Sequence, residues 1–486
     1  MRTIAPLLAL GLLGGCTVGP DYKGPPATAS DAVARGQFVR AADPALRTGP
    51  GLARWWEGLD DPTLTALVDD ALAHSPSIDE AQARIREARA QLTQQRAAQL
   101  PSVSANATYL RAQLPGTGIG ANSDAATGEG GGTSSTLEFY NVGLNASWEL
   151  DLFGGARRGV EQARRTIEAR FADLADAQVS LSAQVAQAYV GLRDVQARIA
   201  LNTASVGLQR EQLALSRRRQ AGGTASALDI ERLQTQLETS EAQTIPLGAQ
   251  RDEYLNQLAV LTGRTPGVLD ATLATPASVP LPPAEVPIGN PAALIANRPD
   301  VRAAERTLAA GTAAIGVSRA KELPGIQFLG ILGLGGSKPG DIFDLGNLTT
   351  IAAPMLSWSF LDFGKARAAT RAATAQRDQA EAKYRQAVLE ALQDAETQLS
   401  RFGSYRQQLA SNLRAEASAR RAAALNAQRV RAGTSATIDQ LDIERQGLSA
   451  SIAVAQSRAQ LTNSFIAVQK ALGLGWMPEP DGSAGK

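Results

Sequence analysis

The sequence predicts a mixed α and β protein in which one helix–β-hairpin–helix unit is written twice. Three observations predict it. Sliding the chain by 210 positions lays Trp148 on Trp358, Phe153-Gly154 on Phe363-Gly364, Ala156-Arg157 on Ala366-Arg367, Gly223-Thr224 on Gly433-Thr434, Asp229 on Asp439 and Gly263 on Gly473. Each copy holds two segments whose apolar residues recur at every second position, the period of a strand with one buried face. No proline falls between Pro115 and Pro246, or between Pro354 and Pro478, so very long helices are allowed there. Upstream, Pro76 and Leu100-Pro101 match Pro299 and Leu323-Pro324 at an offset of 223. The 13-residue difference falls in the segment between the paired strands, 115–135 against 336–347, where a connecting loop can change length.

In chain order, residues 1–15 read as a targeting segment: Arg2, the apolar run Ile4 to Leu13, then Gly14-Gly15 before Cys16. The run is about ten residues, too short to cross a bilayer as a helix. Cys16 is the only cysteine and stands where a bacterial lipoprotein signal places its acylated residue, with an ordinary secretory signal as the alternative. No Asp follows Cys16, so the inner-membrane retention signal of enteric bacteria is missing, and no disulfide is available. Residues 16–60 read as irregular, with Pro20, Pro25, Pro26, Pro44 and Pro50 barring a long helix.

The first copy spans 61–263. Its strands are expected at about 102–114 and 137–150. Val103, Ala105, Ala107 and Tyr109 alternate with Ser102, Ser104, Asn106 and Thr108; Tyr140, Val142, Leu144, Ala146, Trp148 and Leu150 alternate with Asn141, Gly143, Asn145 and Ser147. A long helix is expected over about 154–221, roughly 100 Å at 1.5 Å per residue, and a return helix over about 226–262, kinked at Pro246. A Pro-rich linker, 264–298, leads to the second copy, 299–473. There the strands are expected at about 326–334 and 349–360 and the helices at about 364–432 and 436–472, before a tail, 474–486. Leu181, Val185, Ala188, Leu192, Val195 and Ile199 form a heptad-like stripe, as do Val388, Leu392, Ala395, Leu399 and Phe402 with Leu409 and Leu413, the mark of helices packed side by side.

Composition narrows the function. Lys+Arg 48 against Asp+Glu 47 leaves a net charge of +1, so nothing points to nucleic acid. One His, one Cys and 3 Met are too few for a metal cluster or a histidine-based catalytic apparatus, so no catalytic residue, metal or cofactor is expected. The glycine strings 128–132 and 333–338 lack the spacing of a P-loop. Strands of about ten residues with one apolar face suit an outer-membrane barrel, and each hairpin tips a pair of long helices. One chain supplies four strands where membrane barrels need at least about eight, and unpaired edges in lipid cost several kcal/mol per group. Strands in a membrane therefore demand an oligomer, of a size the pattern does not count.

Several strings resemble the outer-membrane factor family, the TolC/OprM-type exit ducts, and within it the NodT-like lipoprotein branch. They are Cys16-Thr17-Val18-Gly19-Pro20-Asp21-Tyr22, Trp55-Trp56, Asp61-Pro62-Thr63-Leu64 with Leu67-Val68 and Ala71-Leu72, Asn297 through Glu305, and Gly433-Thr434 through Leu441-Asp442. The resemblance covers essentially the whole mature chain. It implies a homotrimer with a twelve-stranded outer-membrane β-barrel continuous with a long periplasmic α-helical barrel. It also implies a periplasmic adaptor (membrane fusion) protein and an inner-membrane RND transporter as partners.

The same resemblance places a periplasmic gate at Asp229, Asp439 and Asp442 with Arg431, and an adaptor-contacting tip at Gly222, Gly223, Thr224, Gly433 and Thr434. Arg445 and Arg232 are further partners for the carboxylates, and the plainer reading makes the three aspartates first-turn residues favoured by the helix dipole. Trp148, Trp358, Arg157 and Arg367 follow the strands closely and suit a membrane interface contacting outer-membrane lipid; for the tryptophans core packing is the alternative. The expectation is a lipid-anchored, non-enzymatic exit duct for small-molecule efflux. A duct for type I protein secretion and a pore-less periplasmic coiled-coil lipoprotein are the alternatives.

Overall fold

The computed structural model describes residues 17–114 and 135–476; the targeting segment, Cys16, the first hairpin loop and the end of the tail lie outside the described residues. In order come α1 (Ser30–Arg35), β1 (Leu46–Thr48), a 3₁₀ turn at Trp55–Leu59, α2 (Pro62–His74), α3 (Pro76–Ala97), β2 (Ser102–Leu114) and β3 (Ser135–Leu150). Then follow α4 (Gly155–Ala221), α5 (Ala227–Leu261), α6 (Asp270–Leu273), β4 (Val286–Ile288), α7 (Pro291–Asn297) and α8 (Pro299–Ala320). The chain closes with β5 (Gly325–Gly336), β6 (Leu348–Ser357), α9 (Lys365–Arg431) and α10 (Thr437–Ala471). α4 and α9 are each 67 residues, about 100 Å of unbroken helix. α5 is 35 residues and runs through Pro246 without ending.

Two compact units result, and they are not the two sequence copies: each gathers matching segments of both. One comprises residues 1–25, 87–167 and 306–381; the other comprises 26–86, 168–305 and 382–486.

The first unit holds a four-stranded antiparallel sheet in the order β2-β3-β5-β6, so the two hairpins join through β3 and β5. Tyr109 lies opposite Tyr140, Trp148 opposite Phe328, and Ile326 opposite Leu356. Because side chains alternate across a pleat, the register sorts them into two faces. One carries Val103, Ala105, Ala107, Val142, Leu144, Ala146, Ile326, Phe328, Leu332, Leu334 and Leu356. That apolar band has aromatic ends: Trp148 stacks on Phe328 at 6.1 Å, and Tyr109 meets Tyr140 at 4.8 Å. Eight residues of strand, about 26 Å, separate Trp148 from Tyr140. Just beyond Tyr109 the same face turns charged, with Arg111 and Glu138 3.5 Å apart. The opposite face bears Ser102, Ser104, Asn106, Thr108, Asn141, Asn145 and Ser147 on the first hairpin. Each outer strand, β2 and β6, is paired along one side only among the described residues.

The second unit is cored by helices. Trp55 and Trp56 are 2% exposed and meet edge-on at 5.7 Å, with Phe465 6.0 Å from Trp55. Leu181, Val185, Ala188, Leu192 and Val195 of the first stripe are buried there, as are Val388, Ala395, Leu399, Phe402 and Leu409 of the second, whereas Leu413 stays exposed. Asp61 starts α2: one carboxylate oxygen accepts from the Thr63 and Leu64 amides at 2.9 and 3.0 Å, and the other accepts from the Tyr189 hydroxyl at 2.7 Å. Burial, then the bond to Asp61, pushes the Tyr189 phenol up to about 12.

The segment expected to be irregular carries α1, β1 and the 3₁₀ turn, and the linker carries α6, β4 and α7. β1 and β4 pair in parallel, Leu46 with Val286 and Thr48 with Ile288. Three-residue strands are too short to show a period, which is why the sequence hides them. Gly335 and Gly336, just beyond the strand expected at about 326–334, belong to β5.

Candidate functional site: the two glycine turns

α4 and α9 end in the same way. Gly223 (φ +75°) and Gly433 (φ +73°) adopt the left-handed conformation that closes a helix and that a Cβ would oppose. The Thr224 amide donates to the Arg219 carbonyl at 2.8 Å and the Thr434 amide to the Arg429 carbonyl at 2.9 Å. Each threonine hydroxyl donates to the same carbonyl, at 3.0 and 3.2 Å. Gly222, Gly223, Thr224, Gly433 and Thr434 are all exposed, so both turns present bare backbone.

The helices that leave the turns start differently. Ser226 caps α5: its hydroxyl accepts from the Asp229 amide at 3.1 Å and donates to the Asp229 carboxylate at 2.7 Å. These Ser226 contacts, helped by Arg232 and Arg219, hold the Asp229 carboxyl below the ordinary carboxylate range. Its contribution to the cap is therefore present above that range and fades only as pH falls through the lowered value. At the matching position of α10 stands Ala436, whose side chain cannot cap. Asp439 is consequently exposed and, among the described residues, no side chain pairs with it. Asp442 accepts from Arg445 and Gln446, both at 2.8 Å. Arg431 does not reach either aspartate; its Nε donates to the Ala427 carbonyl of its own helix at 3.3 Å.

The seams behind the turns also differ, and sequence reasoning missed this. Between α4 and α5, Val206, Leu213, Ile230 and Leu237 form a small buried apolar cluster. The matching positions of α9 and α10 are Glu416, Ala423, Gln440 and Gly447. Hydrogen bonds take over: Ser451 to Glu416 at 2.7 Å, Asn426 to Gln440 at 3.0 Å, Ser435 to Asn426 at 2.9 Å and Asn412 to Ser457 at 2.6 Å. The signal lay in the 210-residue alignment, where four apolar positions of one copy lose their bulk or become polar in the other.

At the strand–helix junctions, Trp148 donates to the Gln99 carbonyl at 3.1 Å and Trp358 to the Glu322 carbonyl at 3.2 Å, the same contact in both copies. They are 36% and 56% exposed in the single chain. Arg157 donates to the Asp151 carboxylate at 3.2 Å, and Arg367 is exposed. The N-terminal segment is tied down here. Val18 donates to the Phe153 carbonyl at 3.0 Å, and buried Arg158 donates to Asp21 at 2.5 Å and Glu161 at 2.7 Å. Gly19 (φ +99°) lies against Gly316, where a Cβ on either would collide with backbone. Arg158 was not singled out from sequence; its repeat partner is Ala368, and that mismatch was the available clue.

No helix among the described residues is long and apolar enough to cross a membrane. No group of three or more His, Cys, Asp or Glu among them could hold a metal ion.

Residues 67–264 and 290–474 match the family model described as outer membrane efflux protein. The solvent efflux pump outer membrane protein SrpC of Pseudomonas putida is 30% identical over 475 residues, 97% of this chain and 98% of that one. Outer membrane protein OprJ of Pseudomonas aeruginosa is 30% identical over 478 residues, 97% of this chain and 96% of its own. Among solved structures, the outer-membrane channel OprN aligns with a TM-score of 0.83 at 33% identity, covering 95% of this chain and all 100% of its own. The open state of the MtrE outer membrane channel of Neisseria gonorrhoeae aligns at 0.75 and 27% identity, over 95% of this chain and 98% of its own.

Proposed function

The chain belongs to the outer membrane efflux protein family, and from that premise we propose that it is the exit duct of a tripartite RND-type efflux system. It conducts small molecules passively, the class to which the solvents in SrpC's name belong. A periplasmic adaptor and an inner-membrane transporter supply cargo and energy, and the chain itself does no chemistry. Three chains pool their strands into a twelve-stranded barrel in the outer membrane, continuous with a periplasmic helical barrel, and acylated Cys16 adds a lipid anchor. The observation that carries this is the sheet: a four-stranded surface whose apolar band runs about 26 Å along the strands between aromatic ends (about 20 Å of height at the ~40° tilt of barrel strands, most of an outer-membrane belt) and an open edge on β2 and on β6. In hydrocarbon those edges need partners, and the only strands sure to fit are those of sister chains.

At the turns, Asp439 and Asp442 form the acidic constriction, with Asp229 its first-copy counterpart and Arg431 nearby on α9. A ring of three such carboxylates about an axis repels itself, attracts cations and narrows the mouth. Gly222, Gly223, Thr224, Gly433 and Thr434 offer the backbone surface that the adaptor meets, and Trp148, Trp358, Arg157 and Arg367 hold the membrane boundary against outer-membrane lipid. Reconstituted into planar bilayers, the protein should give discrete current steps. The Asp439→Asn/Asp442→Asn variant should raise unit conductance severalfold. Steps of unaltered size would remove the constriction from those two residues.

A further inference from the structure

The sheet face opposite the apolar band is not uniform. Over Ser102–Thr108, where β2 and β3 form it, it is polar: Ser104 faces Asn145, Thr108 faces Asn141, and Ser102 faces Ser147; beyond Thr108 it turns apolar, with Leu110 facing Phe139 and Ala112 facing Leu137. One strand further on, Leu329 sits beside Ser147 and Ile331 beside Asn145. Across β5 and β6 the same face continues with Ala353 opposite Leu329, Ile351 opposite Ile331 and Met355 opposite Gln327. Ile351 is 47% exposed and Met355 51%. At the level of Ser102–Thr108, the second hairpin is thus largely apolar on both faces, whereas the first is apolar on one.

The two faces are assigned by their own chemistry. A sector of Ser, Thr and Asn is costly in hydrocarbon, while the other face, Thr350 apart, is apolar across all four strands between its aromatic pairs. The mixed face is therefore the one turned to the conduit. A strand buried on both faces would account for two apolar faces, yet Ile351 and Met355 have no cover among the described residues.

Resting on the duct reading above, we infer that Leu329, Ile331, Ile351, Ala353 and Met355 form an apolar contact strip in the conduit wall, and that its occupant is cargo with exposed aryl or alkyl surface. The strip carries no formal charge, so ions gain nothing from it. Its neighbours Gln327, Ser147 and Asn145 supply hydrogen-bonding groups along one margin, with Gln327 donating to Ser147 at 2.8 Å. An amphiphile can lay its apolar side on the strip and its polar side toward the Ser/Asn wall. Contact of that kind is shallow and non-directional, which suits passage better than capture. In a closed trimer it recurs three times around the wall.

The test is current block in planar bilayers, with tetraphenylphosphonium as the aryl probe and tetraethylammonium as a control of equal charge without the aryl surface. The wild type should show block events whose mean duration falls about tenfold in Ile331→Asn/Ile351→Asn, as expected for losing the apolar contact of two side chains. Ile351→Thr, which keeps the β-branch and hence the strand, should shorten them about threefold. Tetraethylammonium block should not change. Unaltered tetraphenylphosphonium block in both variants, with current steps intact, overturns the strip alone. An Ile351→Cys side chain shielded from a water-soluble maleimide in the folded protein would mean that lipid or a second chain covers this face, and would overturn it too. Wild-type protein that gives no current steps at all would instead fell the duct reading and carry the strip with it.

Discussion

At the cap position a serine in the first turn is an alanine in the second. Ala436 has backbone angles of φ −81° and ψ 148°, close to the −89° and 155° of Ser226, and Asp439 stands three residues on as Asp229 does. Ala436→Ser should therefore complete a second capping box and stabilise the hairpin by about 1 kcal/mol. Slower amide exchange in the first turn of α10 would report it; exchange rates equal to the wild type would show that Asp439 is held by something else. A second residue-scale expectation concerns Arg158, whose guanidinium is buried against Asp21 and Glu161 while tying Val18 to the start of α4. Arg158→Ala should cost about 2 kcal/mol, the loss of charge-assisted hydrogen bonds. It should also make residues 17–25 newly sensitive to limited proteolysis. An N-terminus as resistant as the wild type would remove the clamp. Glycine turns and the aspartates beyond them were legible in the sequence, because φ above zero and first-turn charge leave local marks. Arg158 was not, since its partner Asp21 lies 137 residues away.

At the scale of elements, the helices and strands lie within a few residues of where period and proline placed them: the first long helix was expected over about 154–221 and runs Gly155–Ala221, and the second strand, expected at 137–150, begins at Ser135. Proline-free length and strict alternation are strong signals. What escaped was contact across distance. β1 pairs with β4, β3 with β5, and the α4–α5 seam is apolar where the α9–α10 seam is polar. Strand pairing leaves no mark on the local period, and the seams differ only when the two copies are laid side by side. The seams predict unequal hairpins. Leu237→Ala in the first should destabilise its tip by about 2 kcal/mol, because it removes buried apolar volume. Gln440→Ala in the second should cost about 1 kcal/mol, because its hydrogen bonds to the Ala423 carbonyl and Glu444 trade against water. Hydrogen exchange along α5 and α10 would rank the two; equal losses would mean that the seams hold by the same forces.

For the whole molecule, the duplication settles a topology that cannot finish itself. The four-stranded sheet leaves β2 and β6 open on one side among the described residues, and the proposed duct needs those edges met by other copies. The repeat offset and the alternation point to the same need from the sequence alone. The count of three came only from the family resemblance, because strand pattern fixes a minimum and not a number. The most direct test is the mass of the purified protein in nanodiscs or amphipol, by native mass spectrometry. The account predicts a particle of three chains that stays assembled until the strands unfold. A folded, water-soluble single chain that keeps its sheet without lipid or detergent would contradict it.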